Sequence, residues 1–342
     1  MSIVISPDIR LILATDNNTT LDRDVNEATE LRILKDISVT KGTTSIVGDA
    51  GGVGTSINKV PHYRNTGYSG VSLQFSTYLK PVTNYFGFNV AAEQLLWESL
   101  SSTDVTQVPT SSTVNFTSGN SNQLRELFIY LVMEDGSYHV FNNAVVTGVE
   151  IEIDINQITM AKWSIAALSS EYKTSSPLTE TSLNDFTEAP GLRNKLSTIA
   201  LNLDSVDYNL AITSGNITIS NDVVLKNRIK VGEISSPTGH YVSSRSSQAS
   251  ITCYLNTKSD GSSALVNKLA GFSNLTQINQ SVNATIALGG SSNDLKVSVN
   301  IPTGKIVSSD PGVGLLNTMS FNLIPQESTL GAGDEINIVY DK

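Results

Sequence analysis

Regular alternation of apolar and polar residues is the feature that most constrains how this chain can fold. Along Val149–Ile155 and Leu73–Leu79 the apolar residues fall at every second position. Because successive side chains of a β-strand point to opposite faces, this period of two predicts strands with one buried and one solvated face. Similar β-rich runs recur along the chain between turn residues such as Glu134-Asp135-Gly136. The sequence therefore predicts a mainly β protein.

Helical patterning is confined to two segments. In Asn89–Leu100, apolar residues fall on one helical face, Asn89 can cap the first turn, and Glu93 sits early, where the helix dipole favours it. The second segment is Ser262–Phe272, which also has one apolar side. Each helix follows a predicted strand, which suggests that the chain repeats itself.

An internal match supports that repetition. ISVTKGTTSI (Ile37–Ile46) aligns with LAITSGNITI (Leu210–Ile219), and the strand Phe75–Leu79 aligns with Ile251–Leu255. The two helices, a hairpin and a closing strand follow in the same order in each half. We infer a tandem duplication, in which each copy is a β-sandwich or open barrel with one flanking helix.

The duplication predicts two domains. The first spans residues 1–172, with an N-terminal extension, Met1–Glu30, ahead of the repeat that starts near Leu31. Residues 173–200 are rich in Ser, Thr, Pro and acidic side chains, and we interpret them as a linker. The second domain spans residues 201–342.

Charge and cysteine content exclude several classes of function. Only 16% of the residues are charged, and the net charge of −10 argues against a protein that grips nucleic-acid phosphates or anionic lipid. The N-terminus lacks the pattern of a signal peptide and no apolar run is long enough to span a membrane, so we expect a cytosolic product. The lone Cys253 excludes an intrachain disulfide, and three scattered histidines make a zinc site improbable.

Three segments invite a chemical interpretation, and each has a simpler one. The run Gly48–Thr55 lacks the spacing of a phosphate loop and is more simply a connection between strands. Asp16–Glu27 has oxygen-bearing side chains at the spacing of a calcium loop, but Leu21 replaces the required glycine, which leaves an acidic turn as the alternative. Glu150, Glu152 and Asp154 share one strand face, with no nucleophile or oxyanion hole nearby in the pattern. We expect no catalytic residue, cofactor or metal.

One long segment resembles a known family. Ser72–Ser102, SLQFSTYLKPVTNYFGFNVAAEQLLWESLSS, is similar to the tail tube proteins of phages with long, non-contractile tails, above all to the version in which the tube fold is duplicated within one chain. ISVTKGTTSI and LAITSGNITI resemble an early strand of that family, and GVEIEIDINQITMAKWSIAAL resembles its acidic strand pair and closing strand. The second copy departs from the family in lacking both the Leu-Leu-Trp helix and the acidic pair.

The resemblance implies a structural virion protein. Three chains would form a ring with pseudo-sixfold symmetry, and rings would stack head to tail into a hollow tube that conducts DNA. Assembly would take place in the host cytoplasm, with a tape-measure protein, a tail terminator and distal or baseplate proteins as partners and no membrane contact. We expect Glu150, Glu152 and Asp154 to contribute charge to the lumen. Expected contacts between subunits or rings are the extension Met1–Glu30 and the loop Gly48–Tyr68, with Gly48, Gly51, Gly54, His62, Tyr63 and Trp97 as candidate residues.

Two alternatives stay open. A distal or terminator protein of the tail would share the fold but form a single ring. A bacterial surface or fimbrial protein is a less favoured possibility, because it would need a secretion signal. A β-rich glycosidase is a poor third, since aromatic residues total only 6%.

Overall fold

The computed structural model describes residues 9–34, 36–48, 63–80, 83–85, 88–108, 111–116, 123–174, 178–185, 191–226, 237–271, 282–289, 296–308, 317–329 and 331–341. The strands are β1 (Arg10–Ala14), β2 (Thr20–Asp22), β3 (Thr29–Leu31), β4 (Ser38–Gly48), β5 (Tyr63–Tyr78), β6 (Thr83–Tyr85), β7 (Phe88–Val90), β8 (Thr106–Val108), β9 (Ser111–Asn115), β10 (Leu127–Val132), β11 (Tyr138–Asp154), β12 (Met160–Lys173), β13 (Thr179–Ser182), β14 (Asn184–Asp185), β15 (Thr198–Leu203), β16 (Val206–Leu210), β17 (Ile212–Leu225), β18 (His240–Tyr254), β19 (Val282–Leu288), β20 (Lys296–Ser308), β21 (Thr318–Pro325) and β22 (Asn337–Asp341). The helices are α1 (Arg23–Asn26), α2 (Gln94–Ser101) and α3 (Ser262–Gly271). Within these residues, the helices fall short of the length and apolar character that crossing a bilayer requires.

The predicted fold class is confirmed, because antiparallel strands dominate the described residues. Strand β11 shows why the alternating pattern works. Val149, Ile151 and Ile153 are almost fully buried, whereas Glu152, between two of them, is exposed. Burying one face of each strand supplies the hydrophobic core that the alternation predicts.

Helix α2 is shorter than predicted. Asn89 does not cap it, because Asn89 pairs with Asn84 in a hairpin formed by β6 and β7. The helix begins at Gln94, and Glu93 at its N-terminus makes no side-chain cap hydrogen bond. Strand pairing by Phe88–Val90 therefore overrides the local capping signal. Helix α3 starts at Ser262 as predicted.

The strands form two rows with the same order. The first row is β4-β5-β12-β11-β10-β1-β3, and the second is β17-β18-β21-β20-β19-β15-β16. Along the chain, α2 comes after β5 and α3 comes after β18, and these are the second strands of the two rows. A bulge also recurs: the register shifts between Leu127 and Ile129 in the first row and between Val282 and Ala284 in the second. The two rows therefore share their strand order, the place of a helix in it and the position of one bulge.

Strand pairing also decides which residues of β4 and β17 are equivalent. When β5 is laid on β18 in the predicted register, Leu73 corresponds to Ala249. Leu73 pairs with Val39 and Ala249 pairs with Ile217, so Val39 corresponds to Ile217. The sequence match had placed Val39 on Ile212 instead. Short strands with similar side chains leave the register weakly specified until their pairing partners are known.

The pairing of β11 with β17 joins the two halves. Beyond its bulge, β11 pairs antiparallel with β17 from Gly148 opposite Ser220 to Asp154 opposite Ser214. The order β4-β5-β12-β11-β17-β18-β21-β20 then forms an eight-stranded antiparallel sheet that continues through both halves. We call the β11–β17 pairing the seam.

The N-terminal extension and the linker are both part of the fold. Strand β1 pairs with β10 and β3, and its Leu11 and Leu13 are fully buried. Two linker strands, β13 and β14, pair in parallel with β2 and β3. Arg10 ties the pieces together, since its guanidinium binds Glu30 and, at 2.9 Å, Glu180. In the first row β1 holds the position that β15 holds in the second.

A buried polar network fixes α2 to the C-terminal strand. Trp97 is fully buried, stacks edge-on against Trp163 with ring centroids 4.8 Å apart, and donates its indole N–H to the Tyr340 hydroxyl at 2.7 Å. Tyr340 in turn lies 3.5 Å from the Glu93 carboxylate. Burial raises the pKa of Glu93 to about 7, and the positive charge of Lys80 opposes that rise. Strand β22 is therefore anchored in the core of the first half.

The raised pKa of Glu93 predicts a pH-dependent stability. Between about pH 4.5 and 7 the folded chain holds a proton on Glu93 that the unfolded chain releases, so the free energy of unfolding falls as pH rises. The full effect is roughly 3 kcal/mol. In urea unfolding, we expect the free energy of unfolding of Glu93→Gln, relative to that of the wild type, to increase by up to that amount from pH 5 to pH 8. Glu171→Gln, a change at an exposed carboxylate, should show a constant difference over the same range, and a constant difference for Glu93→Gln would contradict the prediction.

A second prediction concerns close packing beside the seam. A Cβ on Gly215 would lie 2.4 Å from the carbonyl oxygen of Ser250 on β18, so alanine there forces the two backbones apart. We expect Gly215→Ala to lower the free energy of unfolding by about 1–3 kcal/mol. Gly239→Ala is the matched control, because its Cβ would meet only Cδ of the flexible Lys226 side chain, at 4.0 Å. Equal melting temperatures for the two variants would show that β17 and β18 separate without cost.

Candidate functional site: the polar face of the sheet

The eight-stranded sheet has a core face and an opposite face that carries mostly uncharged polar side chains. We call the latter the polar face. Residues directly opposite one another across the strands trace it from one half to the other: Tyr78, Met160, Glu152, Asn216, Ser250, Asn322 and Val307. A parallel row runs through Ser38, Gln74, Ser164, Gly148, Ser220 and Ser246. Both rows cross the seam, so the polar face is one continuous surface.

All three predicted lumen carboxylates, Glu150, Glu152 and Asp154, lie on this face, because they alternate along β11. Glu150 and Glu152 sit two residues apart on β11, and Asn216 across the seam donates its amide to Glu150 at 3.0 Å. Asp154 has a different local role, because its carboxylate accepts the backbone N–H of Asn156 at 2.8 Å and closes the β11–β12 turn. Lys162 stands directly opposite Glu150 on β12.

The polar face is therefore nearly neutral and rich in hydroxyl and amide groups. The acidic side chains of β11 are interleaved with Lys162 on one side and with Thr218 and Asn216 on the other. Such a surface offers hydrogen bonds in many directions, and among the described residues it carries no cluster of Lys and Arg of the kind that phosphate binding requires.

Side chains of the second half also reach across the seam. Asn221 donates to the Leu100 carbonyl at 2.9 Å, and Arg245 donates to the Phe116 carbonyl at 3.0 Å while stacking over the Phe116 ring. These contacts were not predicted from the sequence. The single arginine within the run Ser243–Ser247 was the available signal, since an isolated cation among hydroxyls implies a specific partner.

His240 makes a further contact of this kind. The backbone N–H of Leu124 donates to His240 Nε2 at 3.0 Å, which places the imidazole proton on Nδ1, 3.3 Å from Glu126. This contact lowers the pKa of the Glu126 carboxyl. The side chains of Asn221, Arg245 and His240 thus connect the second half to the first at the end of the seam away from the β11–β12 turn.

The remaining predicted contact residues fall in different places. Gly48 and Tyr63 pair with each other at the ends of β4 and β5, while Gly51, Gly54 and His62 lie outside the described residues. Trp97 belongs to the interior: with no exposed surface and its N–H bound to Tyr340, it offers nothing to another copy.

The calcium-like segment is organised by its own hydrogen bonds. The Asp22 carboxylate caps the N–H of Asp24, and the Asn26 side chain binds the Thr20 carbonyl. Glu27, which would be the final calcium ligand, binds Arg125 instead. Within the described ranges, no group of three His, Cys, Asp or Glu side chains is placed to hold a metal ion.

Two further features bear on chemistry. Cys253 is fully buried, and burial raises its thiol pKa to about 11, so it packs as a small core residue. A cavity of about 470 Å³ lies between the halves beside Arg245, Phe116 and Glu335. Arg245 donates to the Phe116 carbonyl and lies 3.5 Å from the Glu335 carboxylate. We therefore assign these charged groups a structural role.

Comparison with known proteins gives one informative match. The chain is 26% identical over 298 residues to the tail tube protein pb6 of Escherichia phage T5, a match that covers 79% of this chain and 62% of that protein. The match thus spans less than two thirds of the relative's length. No protein-family model matches the chain. Over most of its length the chain is similar to a phage tail tube protein, which confirms the resemblance predicted from its sequence.

Proposed function

We propose that three copies of this chain close into a ring and that such rings stack into the hollow tube of a phage tail, through which DNA passes. The chain would be a tandem duplication, with each half acting as one tube domain, so that a ring has pseudo-sixfold symmetry. It would reside in the virion tail after assembly in the host cytoplasm. The seam is the observation that carries this proposal.

The seam supports ring closure because each chain also has sheet edges that could pair with another copy as β11 pairs with β17. Strand β17 is paired on both sides, with β11 and β18, whereas its equivalent β4 is paired in the described residues only with β5. At the other end of the sheet, β20 from Lys305 to Ser308 pairs with β21 and with no other strand of the described ranges. An edge strand exposes unpaired N–H and C=O groups, and closing a sheet into a barrel removes such edges. We propose that β4 of one copy joins the β20 end of the next.

Val39 supports this junction in particular. It is 43% exposed on β4, whereas its equivalent Ile217 at the seam is fully buried. Val39 lies on the core face, opposite the buried Leu73. An aliphatic side chain left open at this edge is what a missing neighbour would cover.

The stagger of the strands fits a barrel. The row that starts at Tyr78 on β5 reaches Ser250 on β18, four residues before Tyr254, the equivalent of Tyr78. A shift of four residues over four strands corresponds to a tilt of about 35°. Six halves with four strands each would then enclose a backbone circle about 45 Å across, leaving roughly 35 Å between side chains. A DNA double helix, about 20 Å wide, would pass through this bore.

The polar face would line that bore. Burial of the opposite face in the core leaves Glu150, Glu152, Asn216 and Thr218 to face the lumen. We propose that the near-neutral wall limits the release of counterions from passing DNA and so avoids binding it.

Ring closure is tested at Val39. We expect Val39→Asp to leave the chain folded, since this side chain is already half exposed, but to bury an unpaired charge at the junction and so prevent rings. Val206→Asp is the matched control, at a valine of 45% exposure on β16. Light scattering should show monomers for Val39→Asp and the wild-type assembly for Val206→Asp.

Electron microscopy of the wild type distinguishes a tail tube protein from a tail protein that forms a single ring. Stacked tubes of uniform bore support the proposal, and single rings would instead indicate a distal or terminator protein of the tail. Rings formed by Val39→Asp would exclude β4 from the junction.

The bore is tested by reversing its charge. In assembled tubes, Glu150→Lys/Glu152→Lys should retain fluorescent duplex DNA at low salt and release it as salt rises. Asp24→Lys/Asp104→Lys makes the same change in net charge at exposed sites off the polar face. If both variants retained DNA equally, the polar face would not be the wall of the bore.

A further inference from the structure

Two tyrosines occupy equivalent positions at one end of the polar face. Tyr78 is the last residue of β5 and Tyr254 the last of β18, and both are 38% exposed. Each stands on the polar face, in line with Gln74 on β5 and with Thr252 on β18. The two halves have thus kept a large aromatic side chain at the same place on an otherwise hydrophilic surface.

Other exposed apolar side chains lie at the same end of the sheet as Tyr78. Ile158, between β11 and β12, is 41% exposed, and its side chain and that of Tyr78 both lie within 4 Å of the place that a Cβ on Gly191 would take. Ile155, within that turn, is 37% exposed. This end of the sheet therefore has an exposed apolar rim, which we define as Tyr78, Ile155, Ile158 and Tyr254.

The opposite end of the sheet has exposed apolar side chains as well. Val224 and Tyr241 are paired near the far ends of β17 and β18 and are 37% and 40% exposed. A ring with a different apolar rim at each end can stack head to tail, a contact that does not close on itself and so propagates as a tube. Aromatic residues with few rotatable bonds are enriched at the centres of protein contacts.

We propose that Tyr78 and Tyr254 are the stacking contacts of one rim, and that their partner is a second copy of this chain, through the end that carries Val224 and Tyr241. The inference rests on the proposed ring, in which these tyrosines form a circle of six. It separates two kinds of contact: Val39 on β4 joins copies within a ring, and the tyrosines join successive rings.

The test is the double variant Tyr78→Ser/Tyr254→Ser. We expect it to form rings of wild-type mass but to lose tubes, or to need at least about tenfold more protein to form them. Tyr78→Phe/Tyr254→Phe should keep tubes, because the aromatic rings remain. Val108→Ser/Val206→Ser, at two valines of similar exposure on β8 and β16, should also keep them.

Mixing the Tyr78→Ser/Tyr254→Ser variant with wild-type protein distinguishes a loss of stacking from misfolding. A ring with one defective rim can still add to one end of a growing tube, so a small fraction of the Ser variant should shorten wild-type tubes in electron micrographs. Unchanged tubes from the Ser variant, loss of its rings, or no effect on wild-type length would each overturn the inference. A wild type that forms neither rings nor tubes would contradict the proposed function itself.

Discussion

The pairing of β11 with β17 is the interaction on which the rest of the structure depends. Seven consecutive residues on each strand exchange backbone contacts, from Gly148 to Asp154 against Ser220 to Ser214. Without this pairing each half would end in an open sheet edge. With it, the eight strands share one core face and one polar face, and the stagger from Tyr78 to Ser250 sets the tilt of the sheet.

The two halves are also interdependent away from the seam. The C-terminal strand β22 pairs with β9 of the first half as well as with β20 of the second. Tyr340 on that strand receives the Trp97 N–H from α2, so the motif that resembles the tail tube family is completed by a residue far along the chain. Asn221 and Arg245 bind backbone carbonyls of the first half. Changes in one half should therefore be felt in the other.

The sparse charge of the chain has a physical meaning in this fold. The polar face replaces charge with hydroxyl and amide groups, and its carboxylates at Glu150 and Glu152 are interleaved with Lys162 and Asn216. A wall of this kind neither attracts a polyanion strongly nor repels it over a long range. Exposed side chains at the sheet edge and at its two ends, among them Val39, Tyr78 and Tyr241, lie where the proposed assembly places its contacts.

The alternating pattern by itself determined the fold class, the strands and the exposed face of Glu150 and Glu152, because a period of two depends only on local geometry. The apolar face of a helical pattern located α3. The same kind of local pattern wrongly predicted Asn89 as a helix cap, because it carries no information about the pairing of Asn89 with Asn84. Only the tertiary structure decided the register that aligns Val39 with Ile217, the burial of Trp97 against Tyr340, and the inclusion of the N-terminal extension and linker in the sheets. Each of these depends on contacts between residues far apart in the chain, and periodicity within one segment carries no information about which distant segment will pair with it.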